Sequence, residues 1–314
     1  MESQKFQLII GAGPVGMAVS DELLRKKIPV KIANKSGKLF IPASMEVLKL
    51  NAADPSEVRK AALHASVVYN CTNVPYNRWT DLLPAIHHSI IEGIAGTEAK
   101  LVVMENLYMY GATQGKVITE DLAYQPCSRK GEVRARMSEA LFNAHAKGKI
   151  RAASGRASDF FGPRALQSAL GERVFYPALE GKTAQVLGNP DLLHTYTYVP
   201  DIGKALVVLG ERDEALGKAW HLPNPETVTT RQIVEMIYKK LDYPTKIKVA
   251  SKGLIRLIGI FNPIVRELAE MMYEFEEPFL VDDTKFRKLF SLPATPLAKA
   301  IGETIEWYKH SRRN

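Results

Sequence analysis

The most informative chemical feature of the sequence is a run of glycines close to its start. Gly11, Gly13 and Gly16 have the spacing GxGxxG, and Pro14 and Val15 stand between the last two. In a strand–loop–helix unit the first glycine permits a tight turn, the second lets the backbone approach a pyrophosphate, and the third lets helix and strand pack closely. The helix that follows presents unpaired N–H groups and its positive dipole end to the phosphates. These five residues are predicted to bind a dinucleotide.

The segments around this loop agree with that interpretation. Phe6–Ile10 has the continuous apolar character of a buried strand, residues 17–27 carry apolar side chains at helical spacing, and Val30–Ala33 predicts a second strand. A GxGxxG motif is a specific signal only between a strand and a helix, and here both neighbours are present. A glycine turn that binds no ligand is the alternative.

The residues after the second predicted strand indicate which dinucleotide would bind. In NAD and FAD sites an Asp or Glu stands there and accepts hydrogen bonds from the ribose hydroxyls. This chain has Asn34 at that place, followed by Lys35, Ser36 and Lys38. Two cations and a hydroxyl suit a 2′-phosphate, because that group needs charge-assisted donors. The sequence therefore predicts NADP(H) in preference to NAD(H), and solvated loop lysines are the alternative. The missing acid also weighs against FAD.

Short predicted strands alternate with predicted helices through the first half of the chain. Strands are expected at 47–50, 67–70, 100–104 and 150–154, and helices from 54, at 80–95 and at 132–147. This alternation predicts an α/β fold with a Rossmann-type doubly wound parallel sheet, whose ligand cleft lies at the carboxyl ends of the strands. We expect residues 1–162 to form this domain, with 195–225 returning to it. Residues 163–194 and 226–314 are expected to form a smaller C-terminal α/β substrate lobe.

Several separate motifs resemble the extended short-chain dehydrogenase/reductases, the NAD(P)-dependent epimerase/dehydratase family. They are the segments Asn106–Gly111, with its Tyr-Gly pair, Gly155–Pro163, which looks like an Arg-x-x-x-x-Tyr-Gly-Pro segment, and Tyr198–Ile202. The match covers most of the chain. It implies a Rossmann fold, a nicotinamide dinucleotide, and chemistry through a Tyr-x-x-x-Lys pair assisted by a Ser or Thr that holds the substrate oxygen.

The sequence departs from this family at all three catalytic places. Anchored on the family motifs, the Tyr position holds Lys130, the Lys position holds Arg134, and the Ser/Thr position holds Asn106. The resemblance therefore implies an atypical member, in which Lys130, Asn106 and either Tyr108 or Tyr110 would surround the reacting oxygen. Arg134 would contact the cofactor. Two basic residues beside an anionic cofactor, and tyrosines that merely pack, are the alternatives.

Two functions follow from this combination. The first is an NADP(H)-dependent oxidoreductase or epimerase-like enzyme, acting on a small carbonyl, alcohol or sugar-like substrate. The second is a non-catalytic NADP(H)-binding sensor or regulatory protein, which the triple replacement favours. The sequence does not separate them.

Further candidates lie near the ends of the predicted strands. Asn70 and Thr72 are expected to contact the cofactor, and Cys71 between them is either a reactive thiol or a small buried residue. The predicted substrate contacts are Tyr76, Arg78, Trp79 and Tyr196. His87 and His88 have no third ligand in register, so no metal site is predicted.

Composition narrows the class of protein. The 314 residues carry a net charge of +8 in small scattered clusters, which favours anionic small ligands over a nucleic-acid interface. No apolar run approaches the roughly 20 residues of a membrane-spanning helix, and two cysteines cannot build a disulfide framework. We therefore predict a cytoplasmic protein that takes a small-molecule substrate and contacts neither nucleic acid nor membrane. A homodimer is compatible with this prediction.

Overall fold

The computed structural model describes residues 5–39 and 45–311, with the side chains of all of these except 263 and 264. Within these ranges the chain forms thirteen strands: β1 (Phe6–Ile10), β2 (Val30–Asn34), β3 (Glu46–Lys49), β4 (Ala65–Asn70), β5 (Lys100–Glu105), β6 (Arg151–Arg156), β7 (Asp159–Phe161), β8 (Ala184–Leu187), β9 (Leu193–His194), β10 (Tyr196–Tyr198), β11 (Ala219–His221), β12 (Val228–Thr229) and β13 (Ile247–Ala250). The same ranges contain eleven α-helices: α1 (Pro14–Arg25), α2 (Pro55–Ala62), α3 (Trp79–Ile94), α4 (Arg129–Ala146), α5 (Glu172–Leu179), α6 (Val199–Glu211), α7 (Thr230–Lys240), α8 (Lys252–Gly259), α9 (Pro263–Ala269), α10 (Thr284–Phe290) and α11 (Leu297–Ser311).

The chain divides into two compact units. The first comprises residues up to Met109, Arg129–Ala157 and Ile202–Leu222, and the second comprises Tyr110–Ser128, Ser158–Asp201 and the chain from Pro223 onward. These boundaries differ from the predicted ones, because 110–128, 158–162 and 195–201 lie in the second unit. Of the predicted return at 195–225, residues 202–222 lie in the first unit.

Long-range contacts explain why segment 110–128 belongs to the second unit. The backbone N–H of Thr113 donates to a carboxylate oxygen of Glu277 at 2.7 Å, and Ile118 forms a parallel bridge with Val281. Both partners are more than 160 residues away in sequence. The spacing of residues in the sequence does not predict pairings over such distances.

The first unit is built on a parallel sheet. Among the described residues it has seven strands in the order β11-β6-β5-β4-β1-β2-β3, and every neighbouring pair is parallel. The strand order reverses between β1 and β4, where residues Ile10 and Asn70 are in register. In open α/β sheets this switch point is where ligands bind. The predicted doubly wound parallel sheet is confirmed.

The apolar runs of the strands are buried because helices cover the sheet. One core joins the sheet to helices α2, α3 and α4; its members include Leu8, Val68, Leu101, Val58, Ile90 and Leu141. Asp54 caps α2 by accepting hydrogen bonds from the N–H groups of Ser56 and Glu57. Gly203 of α6 lies so close to α1 that a Cβ there would be 2.5 Å from the backbone of Ala18.

Several elements are longer than the sequence predicts, and the extra residues matter for the site. Helix α1 begins at Pro14 rather than near residue 17, since proline has no N–H to leave unpaired in the first turn. Helix α4 begins at Arg129 rather than 132, and strands β5 and β6 continue to Glu105 and Arg156. Because of these extensions, charged residues lie within helix α4 and strands β5 and β6.

The second unit contains small paired strands and helices around its own core. Strands β7 and β10 are parallel, β8 and β13 are parallel, and β9 and β12 are antiparallel. Helices α5, α7 and α11 share that core, in which the rings of Phe175 and Tyr308 stack at 4.8 Å. Thr229 and Gln232 form a reciprocal capping box at the start of α7.

Candidate cofactor and substrate site

The three glycines of the first loop have different surroundings. Gly11 has φ +108°, and a Cβ there would lie 2.5 Å from the carbonyl oxygen of Cys71. A Cβ on Gly16 would lie 1.9 Å from the carbonyl oxygen of Gly11. A Cβ on Gly13, by contrast, would meet no heavy atom of the described residues within 4 Å. Packing therefore requires the first and third glycines, whereas the second borders open space that suits a pyrophosphate.

The start of α1 adds hydrogen-bond donors beside that space. Gly13 is the N-cap and no side chain caps the helix. The first helical N–H bond of this turn runs from Met17 to the carbonyl oxygen of Gly13 at 2.9 Å. The N–H groups of Val15 and Gly16 precede it and have no acceptor within the helix. Such donors, together with the helix dipole, fit an anionic phosphate.

The loop after β2 is shaped by Asn34. Its side-chain oxygen accepts hydrogen bonds from the Gly37 N–H at 2.7 Å and from the Ser36 hydroxyl at 3.0 Å. Its amide nitrogen donates to the Lys38 carbonyl at 3.0 Å. Asn34 was predicted to contact the cofactor. In the structure its side-chain amide forms the hydrogen bonds that close this turn. Lys35 and Lys38 are exposed, and no carboxylate in the described part of the chain pairs with either.

The loop after β4 borders the glycines. The Cys71 N–H donates to the carbonyl oxygen of Ile10 at 2.9 Å, and the Asn70 side chain accepts from both the N–H and the hydroxyl of Thr72, at 3.1 and 2.7 Å. Burial raises the pKa of the Cys71 thiol to about 12. A thiol with that pKa stays protonated at neutral pH, so the half-buried Cys71 is not a reactive nucleophile here.

A cluster of cations and aromatic rings lies in the first unit. Lys130 and Arg134 are one turn apart on α4 and both are buried. The Lys130 Nζ lies 4.5 Å from the ring centroid of Tyr76, and the Arg134 Cζ lies 4.6 Å from the ring centroid of Trp79. The Tyr76 hydroxyl donates to the Tyr108 hydroxyl at 3.2 Å. These distances bring five of the sequence-predicted residues together.

Trp79 holds this cluster in place. Its ring contacts Tyr76 edge to face at 5.2 Å and Tyr108 at 5.7 Å. Its indole N–H donates to the Val74 carbonyl at 3.1 Å, so the ring presents its face and not its polar edge to Arg134. Trp79 was predicted as a substrate contact, and the structure shows it as a buried support for the cations.

Several buried polar atoms in this part of the first unit have no hydrogen-bond partner among the described residues. They include the donor Nε of Arg134, the acceptor oxygen of the Asn106 side chain, and Oε1 of Glu105. Burial lowers the pKa of Arg134 and the neighbouring Glu105 carboxylate opposes that effect; an arginine nevertheless stays protonated. A buried donor left unpaired costs about 1–3 kcal/mol. The donor and the acceptor together fit the hydroxyls of a ribose or sugar.

A buried ion pair behind these residues was not anticipated from the sequence. The carboxylate of Glu105, the last residue of β5, accepts from Arg156 Nε at 3.0 Å and from the Ser154 hydroxyl at 2.5 Å. Ser138 of α4 accepts from Arg156 at 2.7 Å. Glu105 immediately precedes Asn106, so this network anchors the residue that carries the unpaired oxygen. The sequence feature that could have indicated this ion pair is an acidic residue, Glu105, at the end of a buried strand.

Three further predicted residues have other surroundings. Arg78 is exposed and pairs with Asp81 at 3.7 Å. Tyr110 belongs to the second unit, where its ring packs on Tyr124 at 5.7 Å. Tyr196 also belongs to the second unit, where it is buried and its hydroxyl lies 2.8 Å from that of Thr230. A substrate contact by Tyr196 and a catalytic role for Tyr110 stay predictions.

His87 is a core residue. Its Nε2 lies 2.9 Å from the Met137 carbonyl, and burial lowers its pKa to about 4, so the ring is neutral. Within the described ranges no three His, Cys, Asp or Glu side chains are grouped as metal ligands would be. None of the described helices combines the length and the apolar character needed to cross a bilayer.

Comparison with known proteins agrees with this architecture. Residues 7–222 match the model of the NAD dependent epimerase/dehydratase family. A curated relative in Arabidopsis thaliana, a trifunctional UDP-glucose 4,6-dehydratase/UDP-4-keto-6-deoxy-D-glucose 3,5-epimerase/UDP-4-keto-L-rhamnose-reductase, is 21% identical over 153 residues. That match covers 49% of this chain and only 20% of the relative's length.

Solved structures share the fold over nearly the whole chain. The UDP-glucuronic acid 4-epimerase of Bacillus cereus in complex with NAD is 15% identical, with a TM-score of 0.78 over 98% of this chain and 99% of that one. The dTDP-glucose 4,6-dehydratase of Bacillus anthracis in complex with NAD is 16% identical, with a TM-score of 0.80 over 98% of each chain. Because the family model spans more than two thirds of the sequence, this chain belongs to the NAD dependent epimerase/dehydratase family.

Proposed function

We propose that this protein is an NADP(H)-dependent oxidoreductase or epimerase-like enzyme of the atypical short-chain dehydrogenase/reductase type. The observation that carries the proposal is the position of Lys130. It stands where the family has its catalytic tyrosine, it is fully buried, and it lies on the ring of Tyr76, whose hydroxyl joins that of Tyr108. A buried cation beside a pair of hydroxyls is suited to exchange a proton with a substrate oxygen.

Different residues would bind different parts of the cofactor. The open space at Gly13 and the N–H groups of Val15 and Gly16 fit the pyrophosphate. The unpaired Nε of Arg134 fits a ribose hydroxyl. Lys35 and Lys38 would bind the 2′-phosphate that distinguishes NADP(H) from NAD(H). The dinucleotide, when bound, supplies or accepts a hydride.

The protein's own part in the chemistry is proton transfer and orientation. Lys130, whose Nζ lies 4.5 Å from the ring centroid of Tyr76, would donate a proton to the substrate oxygen in reduction and remove it in oxidation. Tyr108 offers a second hydroxyl at the same place. Asn106, whose oxygen is unpaired, would accept a hydrogen bond from a substrate hydroxyl. The Glu105–Arg156 pair would keep Asn106 in position.

The substrate class is proposed from the donor set and the relatives. An unpaired donor and an unpaired acceptor favour a hydroxylated molecule over a purely apolar one. The names of the similar proteins refer to UDP-glucose, UDP-glucuronic acid and dTDP-glucose. A sugar-like substrate with a carbonyl or alcohol is the proposal that agrees with both.

A second candidate function is an NADP(H)-binding sensor without turnover. The feature that favours it is the motif spacing, which puts Asn106, Lys130 and Arg134 at the three family catalytic positions. Such a protein would retain the glycine loop and the 2′-phosphate site but would transfer no hydride.

Two measurements test these proposals in sequence. Calorimetric titration of ligand-free protein with NADPH and with NADH should show at least tenfold tighter binding of NADPH, about 1.4 kcal/mol. Turnover is then followed by the absorbance of reduced nicotinamide with UDP-glucose, UDP-glucuronic acid, dTDP-glucose and a set of small aldehydes and alcohols. Equal affinity for the two dinucleotides would refute the 2′-phosphate assignment.

The Lys130 variants separate enzyme from sensor. Lys130→Met should abolish turnover and leave NADPH affinity nearly intact, and Lys130→Arg tests whether charge alone suffices. Turnover unchanged in Lys130→Met would overturn the assignment of the proton donor. Tight NADPH binding without turnover on any member of the panel would favour the sensor.

A further inference from the structure

The helix pair α8–α9 exposes an unusual set of large apolar side chains. They are Leu254, Leu257, Ile258, Ile260 and Phe261, here called the α8–α9 surface. Ile260 is 68% exposed and Phe261 is 86% exposed, and both lie in the connection between the two helices. Single exposed apolar residues are ordinary, but five within eight positions form a patch that marks an interaction site.

The helix pair is held rigidly on its other side. Ile255 and Gly259 are the buried residues of α8, and a Cβ on Gly259 would lie 2.8 Å from the backbone of Arg266 in α9. Ile255 packs with Met272 and Phe275 in a small core of the second unit. Leu254, Leu257 and Ile258 lie on α8, whose buried residues are Ile255 and Gly259, and Ile260 and Phe261 follow in the connection.

Cations predominate in the segment that carries this surface, and Glu267 of α9 and Glu270 follow it. Between Asp242 and Glu267 the chain carries five cations and no carboxylate; the cations are Lys246, Lys248, Lys252, Arg256 and Arg266. Lys252 pairs with Glu276 at 2.7 Å. Among the described residues no carboxylate pairs with Lys248, Arg256 or Arg266, and Lys248 and Arg256 are exposed.

We propose that the α8–α9 surface docks on an anionic lipid bilayer. An exposed apolar face flanked by Lys and Arg, with an aromatic residue at its most exposed point, is the pattern of helices that lie in a membrane interface. The apolar side chains would enter the headgroup region and the cations would contact lipid phosphates. The sequence-based expectation of no membrane contact rested on the lack of an apolar run long enough to span a bilayer, and this proposal departs from that expectation.

A second copy of the chain fits this surface less well. A twofold dimer places the same patch on both partners, so the unpaired cations of one copy would face those of the other. That repulsion is absent at an anionic bilayer, which offers both an apolar interior and negative charge. The charge pattern therefore favours lipid.

The test is partition of the full-length protein into vesicles. Binding is expected to vesicles of phosphatidylcholine mixed with phosphatidylglycerol, weaker binding to phosphatidylcholine alone, and a decline with added salt. The double variant Ile260→Ser/Phe261→Ser should lower partition by about tenfold or more. Arg256→Gln should lower it by about fivefold on the anionic vesicles only. Leu63→Ser, at an exposed leucine of the first unit, is the matched control and should change nothing.

Three outcomes would overturn the proposal. They are no partition into the anionic vesicles, equal partition of the Ile260→Ser/Phe261→Ser variant, or a dimer in light scattering that this variant dissociates while vesicles bind neither form. The substituted side chains are exposed, so unfolding midpoints should match the wild type. A lowered midpoint would show that the two residues support the fold, which would contradict a docking role.

Discussion

Replacing Gly13 by alanine should remove dinucleotide binding without unfolding the protein. The new Cβ would meet no heavy atom of the described residues within 4 Å, and φ −77° suits any residue. Alanine restricts the unfolded chain, a gain of about 0.4–1 kcal/mol, which offsets its poorer performance at an N-cap. The free energy of unfolding should therefore change by less than about 0.5 kcal/mol. The methyl group would occupy the space a pyrophosphate needs, so NADPH affinity should fall tenfold or more, at least about 1.4 kcal/mol.

Gly16→Ala is the matched contrast within the same loop. Its Cβ would lie 1.9 Å from the carbonyl oxygen of Gly11, which is backbone and cannot rotate away. The loop must shift, and a loss of about 3 kcal/mol of stability is expected. Urea unfolding followed by tryptophan fluorescence measures the stability of both variants, and calorimetry measures NADPH binding. Wild-type affinity in Gly13→Ala, or equal destabilisation by the two substitutions, would refute the assignment of this loop.

Three other predictions concern the remaining parts of the site. Lys35→Ala/Lys38→Ala should weaken NADPH binding by about tenfold and leave NADH binding unchanged in parallel titrations, since only NADPH carries the 2′-phosphate; an equal loss for both dinucleotides would contradict the assignment. Glu105→Gln removes the charge that compensates a buried arginine and should cost about 3–5 kcal/mol of unfolding free energy in urea melts, whereas a change near zero would show that the pair is solvated. Iodoacetamide at neutral pH should label exposed Cys127 in the folded protein and spare Cys71, because burial raises the Cys71 pKa to about 12. Labelling of Cys71 should rise only as the pH approaches that value. Rapid labelling of Cys71 at neutral pH would contradict the raised pKa.

Local features of the sequence were sufficient to predict the glycine loop. The glycine spacing, the preceding apolar strand and the following helix all lie within about thirty residues, where propensity and sterics act directly. The spacing of the motifs also predicts that Lys130 and Arg134 stand at the family's catalytic tyrosine and lysine positions, and this stays a prediction. Element ends were less well predicted: α4 starts three residues early, since its first turn is stabilised by tertiary contacts rather than by propensity.

The sequence by itself determined the parallel sheet and the glycine loop between its first strand and first helix. Only the tertiary structure decided that Glu105 pairs with Arg156, that Asn34 closes its own turn, and that Tyr196 lies in the core of the second unit. It also decided that five apolar side chains between Leu254 and Phe261 are exposed while Ile255 is buried. Glycine loops and helical periodicity depend on residues that are neighbours in the sequence. Burial and side-chain pairing instead depend on strand register and on contacts between segments tens to hundreds of residues apart.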